Sequence, residues 1–385
     1  MDFTIKKGTI LRELNLVQGV VERRHTIPIL SNLLLEATRT GLSITATDMD
    51  VSIRCHCEAM VRKAGSLTVS AKKLFDIVRL LPETDISFKL ADGESLAVTC
   101  EKSNFKLVGL PKDNFPAIPV PPWLDPQNEE AAGRRVDLPG GTLRKMIHRT
   151  IFAITQEESR YTLNGALLIL RPDGLSVVTT DGHRLALISK PATFEAIPTE
   201  VRALIPRKTL VELLKLASDE EATISFGRDE NHLFFAIRDH LLVSRVLAGQ
   251  FPNYEMVLPK DNQNMVLIDR VALEHALRRA DVMADEHSRA IRWVIHPDHL
   301  EVKAISSDTG EAHETLSLPS TEDAAAYQGD PVEMGFNAQY LLDYLAAVGE
   351  DHLALWFRDA ETQILLVPAT PGDLEYKYVV MPMRL

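Results

Sequence analysis

The sequence has little of what marks secreted, membrane-spanning or metal-binding proteins. It holds three cysteines in 385 residues, Cys55, Cys57 and Cys100, and an odd number cannot build a disulfide framework. A Cys-x-Cys pair without clustered histidines is also a weak metal site. No run of about 18 apolar residues is present to cross a membrane, and residues 1–5 lack the apolar core of a signal peptide. We therefore expect a cytoplasmic protein with reduced thiols and no bound metal.

The motifs of the common enzyme classes are missing as well. The chain has no Walker loop, no GxGxxG after a strand, no HExxH and no GxSxG. The string closest to an active site is Thr-Asp-Gly-His-Arg at 180–184, but no Ser or Cys nucleophile accompanies it in a triad pattern. A turn at the end of a strand explains Asp181 equally well. We expect no catalytic residue and no cofactor, with an enzyme that uses Asp181 and His183 as an alternative.

One pattern occurs three times along the chain. Each copy is a strand, a tight turn and a second alternating strand that ends in Thr-Asp or Ser-Asp, at 32–48, 164–181 and 292–308. The closing residues Asp48, Asp181 and Asp308 lie 133 and then 127 residues apart, which is too long for a solenoid repeat and fits one domain. With linkers at 119–133 and 259–264, the sequence predicts three tandem domains: 1–125, 134–258 and 264–385.

Each copy shows helical and strand periodicity in the same order. Apolar residues at three-four spacing predict six helices with one buried face, at 8–22, 70–81, 140–155, 206–217, 269–283 and 337–348. Alternating runs around turn residues predict hairpins at 86–99, 223–237 and 352–367. The fold class that follows is α+β, with about two helices and eight antiparallel strands in each domain.

Charge is distributed unevenly between the helices and the rest of the chain. The net charge is −12, which by itself argues against a nucleic-acid partner. The six predicted helices nevertheless carry thirteen Lys and Arg against eight Asp and Glu, a net charge of +5 that leaves −17 elsewhere. On the third helix Arg144, Lys145, His148 and Arg149 fall opposite the apolar stripe. Helices sharing one side of a sheet would form a basic surface that attracts phosphates without reading bases.

The C-terminus ends on apolar residues. Residues 378–385 read Tyr-Val-Val-Met-Pro-Met-Arg-Leu, whereas chain ends are usually polar. Two interpretations stay open: the last strand completes a sheet, or the two methionines around a proline form an adaptable apolar surface for a partner.

Five strings together resemble one family. They are Met-Pro-Met-Arg-Leu at 381–385, Thr-Asp-Gly-His-Arg-Leu at 180–185, Tyr-Thr-Leu-Asn-Gly at 161–165, Pro-Ile-Leu at 28–30 with Asn-Leu-Leu-Leu at 32–35, and Phe-Pro-Asn-Tyr at 251–254. Over its whole length the chain resembles the bacterial DNA polymerase III beta subunit family, the replicative sliding clamps. The resemblance implies a head-to-tail homodimer: six clamp-fold domains in a ring, with helices inside and sheets outside. Such a ring encircles double-stranded DNA and does no bond chemistry.

The resemblance also implies partners and site residues. The ring tethers the replicative DNA polymerase catalytic subunit, and it meets the clamp loader, other polymerases and repair proteins through short linear motifs. The implied peptide-binding residues are Arg160, Thr162, Leu163, Thr180, Gly182, His183, Arg184, Leu185, Pro259, Asn337, Tyr340, Val379, Met381, Pro382, Met383 and Arg384. Thr162 stands where the family leads us to expect an aromatic residue.

Two further sets of residues complete the expectation. For DNA, the resemblance points to Arg24 and Tyr161, and the helix charge adds Lys72, Lys73, Arg79, Arg144, Lys145, Arg149, Arg207 and Lys208. For the ring contact it pairs Phe105 and Leu107 of one copy with Val282 and Met283 of the other, and it places Lys73 and Lys102 near Glu311 and Glu314. An alternative is a clamp paralogue that serves mainly as a peptide scaffold or as an inhibitor-resistant duplicate.

Overall fold

The protein is described by a computed structural model. It describes residues 1–21, 27–124, 135–197, 199–306, 310–320 and 326–384. In these ranges no helix is long and apolar enough to cross a membrane. Arg24 and Asp308, two residues that the sequence singled out, lie outside the described residues, as does Leu385.

Three consecutive sets of strands and helices make up the described chain. The first set has β1 (Asp2–Lys6), α1 (Lys7–Val17), β2 (Asn32–Thr38), β3 (Gly41–Thr47), β4 (Val51–Cys57), β5 (Met60–Lys63), β6 (Gly65–Ser70), α2 (Ala71–Leu80), β7 (Asp85–Ala91), β8 (Ser95–Cys100) and β9 (Ser103–Leu110). The second has β10 (Arg135–Pro139), α3 (Gly140–His148), β11 (Gly165–Arg171), β12 (Gly174–Thr180), β13 (Arg184–Pro191), β14 (Val201–Pro206), α4 (Arg207–Leu216), β15 (Thr223–Arg228), β16 (His232–Ile237) and β17 (His240–Arg245). The third has β18 (Asn264–Asp269), α5 (Arg270–Asp281), β19 (Ala290–Ile295), β20 (His299–Ser306), β21 (Gly310–Ser317), β22 (Val332–Asn337), α6 (Ala338–Val348), β23 (His352–Phe357), β24 (Ile364–Pro368) and β25 (Glu375–Val380).

The described chain divides into two compact units. The first, residues 1–144 with 208–246, contains one sheet of 13 strands in the order β10-β15-β16-β17-β4-β3-β2-β6-β9-β8-β7-β1-β5. The second, residues 145–207 with 247–385, contains an eight-stranded sheet, β14-β11-β12-β13-β25-β24-β23-β18, and a four-stranded sheet, β21-β20-β19-β22. Among the described residues, the pairs between these named strands are antiparallel, which confirms the predicted α+β class.

The predicted hairpins form where turn residues direct them. Between β7 and β8 the turn passes through Gly93 at φ 70° and Glu94 at φ 55°, a left-handed pair that favours glycine and suits a tight hairpin. The other two predicted hairpins are the β15–β16 and β23–β24 pairs. Local turn chemistry and alternation were sufficient to predict them.

The end of the third helix was predicted wrongly. The spacing predicted a helix to residue 155, but α3 ends at His148 and Thr150 has φ −127°. The Thr150 hydroxyl donates back to the Met146 carbonyl at 2.8 Å, and the Thr150 carbonyl accepts from the Thr179 hydroxyl at 2.7 Å. These bonds tie Thr150 to β12, so the chain leaves the helix there and makes only a short 3-10 turn at Ile151–Ala153.

Two of the three repeated aspartates, Asp48 and Asp181, close turns, as the simpler interpretation predicted. The Asp48 carboxylate accepts the backbone N–H groups of Asp50 and Val51 at 2.9 and 2.6 Å. Asp181 accepts those of His183 and Arg184 at 2.9 and 3.0 Å. A side chain that satisfies the N–H groups two and three residues on is the usual role of Asp in such a turn.

Buried side chains fill the interior, and the three cysteines are among them. All three thiols are free and buried. Burial and the neighbouring Glu13 charge raise the pKa of Cys57 to about 12 and raise the pKa of Cys55 still further. The Cys55 and Cys57 thiols therefore stay protonated and unreactive.

Candidate peptide-binding pocket

An apolar pocket lies within the second unit. It encloses about 460 Å³, part of it open solvent. Its lining is Leu163, Thr180, Gly182, His183, Arg184, Leu185, Pro252, Tyr254, Val257, Val379 and Met381. Concave, mainly apolar sites of this kind with a few polar groups at the rim are typical binding sites.

The floor of the pocket comes from two paired strands. Leu185 on β13 lies directly opposite Val379 on β25, so the two side chains share one face of the sheet. Both are only 1% exposed, and they pack with Tyr254 in one core cluster. Leu163, at the end of a short 3-10 helix, adds a further apolar side chain. The floor is therefore part of the folded core and is formed before any ligand arrives.

One wall is the turn at 180–184. Gly182 has φ 92°, a left-handed conformation that favours glycine, and a Cβ there would meet Arg160 Nη1 at 3.2 Å. The Thr180 hydroxyl donates to the Arg184 carbonyl at 2.6 Å. Glycine and the Asp181 carboxylate together hold His183 at the rim, where its ring centroid lies 6.3 Å from that of Tyr340.

Arg184 supports this wall from inside the protein. Its Nε contacts the Asp181 carboxylate at 3.0 Å and its Nη1 contacts the Asp343 carboxylate at 2.7 Å. Its Nη2 donates to the Phe152 carbonyl at 2.8 Å, and Tyr340 covers the guanidinium at 4.4 Å. Burial opposes the charged form, yet Tyr378, Asp343 and Asp181 raise the pKa of Arg184. All three guanidinium nitrogens therefore bind protein groups, and the main role of Arg184 is to hold the turn at 180–184 in place.

The C-terminal segment forms the other wall. Met381 N–H donates to the His183 carbonyl at 3.0 Å, and Met383 N–H donates to the Gly335 carbonyl at 2.8 Å. The segment thus extends past β25 and bonds to β22 of the four-stranded sheet as well. Met381 remains 37% exposed, which leaves its side chain free to cover a ligand.

A second, more polar pocket shares His183 and Arg184 with the first. It encloses about 1100 Å³ and its lining includes Phe152, Glu157, Asp181, Arg207, Tyr340 and Asp343. Two adjoining pockets, one apolar and one polar, can hold successive side chains of an extended peptide.

The structure brings together most of the predicted peptide-binding residues but not all of them. The side chains outside the lining of both pockets are Arg160, Thr162, Pro259, Asn337, Pro382, Met383 and Arg384. Asn337 instead caps α6, accepting the N–H groups of Gln339 and Tyr340 at 2.9 and 3.4 Å. Conversely, Pro252, Tyr254 and Val257 line the apolar pocket and were missed. The Phe-Pro-Asn-Tyr string contains two of these three, but nothing in its pattern indicates which strands it contacts.

Comparison with known proteins identifies the family. Protein-family models for the three domains of the DNA polymerase III beta subunit match the chain in order: the N-terminal domain at 1–119, the central domain at 137–253 and the C-terminal domain at 255–384. The chain belongs to the DNA polymerase III beta subunit family. This confirms the resemblance that the sequence motifs indicated.

Individual relatives match this chain over their full lengths. The chain is 37% identical to the beta sliding clamp of Pseudomonas putida and 32% identical to that of Escherichia coli, with 100% of each chain covered. The crystal structure of the Pseudomonas aeruginosa DnaN sliding clamp bound to griselimycin has a TM-score of 0.90 at 33% identity, again covering 100% of both chains. The clamp fold predicted from the sequence is thereby confirmed.

The basic residues predicted for DNA differ widely in exposure. Lys72, Lys73, Arg79, Arg144, Lys145, Arg207 and Tyr161 are exposed, whereas the Lys208 ammonium is half-buried and pairs with the Asp48 carboxylate. The prediction that Arg149 faces outward was wrong. Its side chain is 9% exposed, contacts Glu350 at 2.8 Å and lies 5.5 Å from the Tyr376 ring centroid. Because α3 ends one residue earlier, helical spacing no longer determines where this side chain points.

The residues predicted for the ring contact are largely open to solvent. Phe105 on β9 is 38% exposed, and Val282, just after α5, is 76% exposed. Leu107 and Met283 are half-buried. Glu314 already pairs with Arg279 in the same unit, at 2.9 and 2.6 Å, so a lysine from another copy would compete for it.

Proposed function

We propose that this chain closes with a second copy into a ring around double-stranded DNA and tethers the replicative polymerase there. The observation that carries the proposal is the preformed apolar pocket in a chain of this family. Tethering raises the effective concentration of the polymerase at the primer end, so a weak contact becomes a persistent one. The ring needs no active site of its own for this task.

The apolar pocket fits a short extended peptide with neighbouring Leu and Phe side chains. Leu163, Leu185 and Val379 offer an apolar floor, and Met381 is a flexible side chain that adapts to what it covers. The replicative polymerase catalytic subunit, the clamp loader, and other polymerases and repair proteins would share this site through such segments. One pocket per chain gives two per ring, so two partners can be held together.

Two exposed strands support a head-to-tail contact between copies. β21 is an edge strand of the four-stranded sheet in the second unit. In the first unit, residues 103–108 of β9 pair with β8, while only Gly109 and Leu110 pair with β6. Strands with unpaired edges readily pair with another chain. A contact between unlike surfaces of two copies generates a closed ring when the rotation that relates the copies allows closure. In this ring Phe105 and Leu107 of one copy would pack against Val282 and Met283 of the other.

Contact with DNA would be electrostatic and independent of sequence. Lys72, Lys73, Arg144, Lys145 and Arg207 are exposed on helices, where they can neutralise phosphates. A net charge of −12 for the chain disfavours DNA on its other surfaces.

The enzyme alternative has no support from the geometry around Asp181. Its carboxylate accepts backbone N–H groups of the turn and pairs with Arg184 Nε. The carboxylate is therefore engaged in holding the turn and does not orient the His183 ring as a triad would require.

Retention on circular DNA tests the ring. The chain, loaded onto nicked circular DNA by a clamp loader, should stay bound through gel filtration in high salt and should be lost when the circle is cut. The same amount on linear DNA serves as the control. Equal loss from circular and linear DNA would refute encirclement. Peptide binding without retention would instead favour the scaffold paralogue.

A further inference from the structure

A cluster of histidines lies on the four-stranded sheet of the second unit, and none of its members lines either pocket. His296 and His299 flank the two-residue turn Pro297–Asp298 between β19 and β20, and His296 N–H donates to the His299 carbonyl at 2.9 Å. Residues directly opposite in a hairpin project from the same face. The two imidazole ring centroids are 3.9 Å apart, with planes 11° from parallel.

A carboxylate completes the cluster. Glu301 lies two residues beyond His299 on β20 and so on the same face. Its Oε2 is 4.0 Å from His296 Nε2, and its Oε1 is 3.4 Å from His313 Nε2 of β21. One ligand atom each from His296, His299 and Glu301 lie within 4.8 Å of one another.

The nitrogen atoms are prepared for a ligand in two ways. Among the described residues, His296 Nε2 is one of the few buried side-chain polar atoms without a hydrogen bond, and such an atom calls for an explanation. His299 Nδ1 lies 2.7 Å from the Asp298 carboxylate. A proton on Nδ1 leaves the lone pair on Nε2, and a carboxylate behind the ring is the usual support of a metal-binding histidine.

We propose that His296, His299 and Glu301 bind a divalent transition-metal ion of the zinc class, with the exposed His313 available as a fourth ligand. Two or three imidazoles and one carboxylate favour Zn²⁺, Ni²⁺ or Cu²⁺ over Mg²⁺ and Ca²⁺, which prefer oxygen. Binding requires the stacked rings to turn until their nitrogens converge at about 2.0–2.1 Å from the ion. His313 lies on β21, the strand proposed for the contact between copies, but the three principal ligands line neither pocket and the proposal does not depend on the proposed clamp function.

A lysine in the cluster gives the proposal a distinctive signature. Lys303 Nζ lies 2.6 Å from Glu301 Oε2 and neutralises the carboxylate that the metal needs. The ion must displace Lys303, so removing this ammonium should strengthen metal binding, whereas removing a ligand should weaken it. If the histidine cluster had only a structural role, removing Lys303 and removing a histidine would not change the metal affinity in opposite directions.

A second group of ligand-type residues, Glu13, Cys55 and His240, does not share these properties. Burial raises the pKa of the Cys55 thiol, and a thiol must lose its proton to bind metal. His240 Nε2 already lies 2.7 Å from the Glu13 carboxylate. Glu13 and His240 are thus already partnered within the protein, and this group carries no metal proposal.

Calorimetric titration of the full chain with Zn²⁺, after treatment with a chelator, tests the proposal. We expect one site per chain that millimolar Mg²⁺ does not compete for. Changing His296→Asn together with His299→Asn should lower the affinity by more than about tenfold, because even supporting residues of metal sites contribute that much. Lys303→Met should raise the affinity severalfold.

The control is His275→Asn, an exposed histidine on α5, which should leave binding unchanged. Co²⁺ absorption in the visible range reports whether nitrogen ligands surround the ion. An unchanged Zn²⁺ affinity in the double variant, or a weaker one in Lys303→Met, would overturn the assignment. If the double variant fails to fold, His299→Gln and Lys303→Met still decide the question, because they must shift the affinity in opposite directions.

Discussion

The rim of the apolar pocket allows a quantitative prediction about Met381. This side chain is 37% exposed, and a bound peptide would cover that exposed part. Fully burying a methionine is worth about 1.5–3 kcal/mol, so covering about a third of it is worth about 0.6–1.1 kcal/mol. Met381→Ala should therefore raise the Kd of a Leu-Phe peptide about three- to sixfold.

The floor should respond differently from the rim. Leu185 is already 1% exposed, so a peptide adds almost nothing to its burial. Leu185→Ala instead leaves a cavity in the core and should lower the free energy of unfolding by about 2–5 kcal/mol. Deleting 381–385 would also remove the bonds from Met381 to His183 and from Met383 to Gly335, and for this reason the point substitution is the cleaner test.

Calorimetry with a short peptide that contains neighbouring Leu and Phe measures the affinity of each variant for the peptide. Urea unfolding measures the free energy of unfolding of each variant. Met60→Ala is the matched control, since Met60 is 68% exposed on β5 and lies outside the pocket. The reasoning fails if Met381→Ala leaves the affinity unchanged, or if Met60→Ala lowers it equally. In either case the peptide binds elsewhere on the chain.

Three further outcomes are expected. Arg144→Ala with Lys145→Ala should make the negative slope of log affinity for DNA against log salt shallower by about 2, on unrelated sequences alike, as fluorescence anisotropy at several salt concentrations measures. Arg149→Ala should instead lower the free energy of unfolding. Val282→Glu should give a monomer by light scattering because it places a charge on a side chain 76% exposed at the proposed contact, and Val271→Glu, at a side chain 40% exposed on α5, should not. Burial opposes the charged form of Glu13, but His240 and Arg12 lower its pKa below the usual 4.5. Its contribution to stability is therefore complete above pH 4.5 and is lost as pH falls through the lowered pKa. The urea midpoints of the parent chain and of Glu13→Gln should converge on acidification, and a constant difference would contradict this.

The sequence alone determined what depends on neighbouring residues. Three-four spacing and period-two alternation located the six α-helices of the described residues and the three hairpins, since each pattern reflects which side of a local element is buried. The turn at 180–184 was predictable too, because Asp181 satisfies N–H groups only two and three residues away. The threefold repeat and the family motifs extended this local information to the whole chain.

Tertiary structure decided which of these elements meet. Leu185 and Val379 face one pocket because β13 pairs with β25 in a particular register, and Tyr254 joins them from a segment that no strand pattern places. Arg149 lies one residue beyond the end of α3, where contacts with Glu350 and Tyr376 draw it inward. Pairing between distant strands depends on the complementarity of complete surfaces, and that complementarity leaves no period in the sequence of either partner.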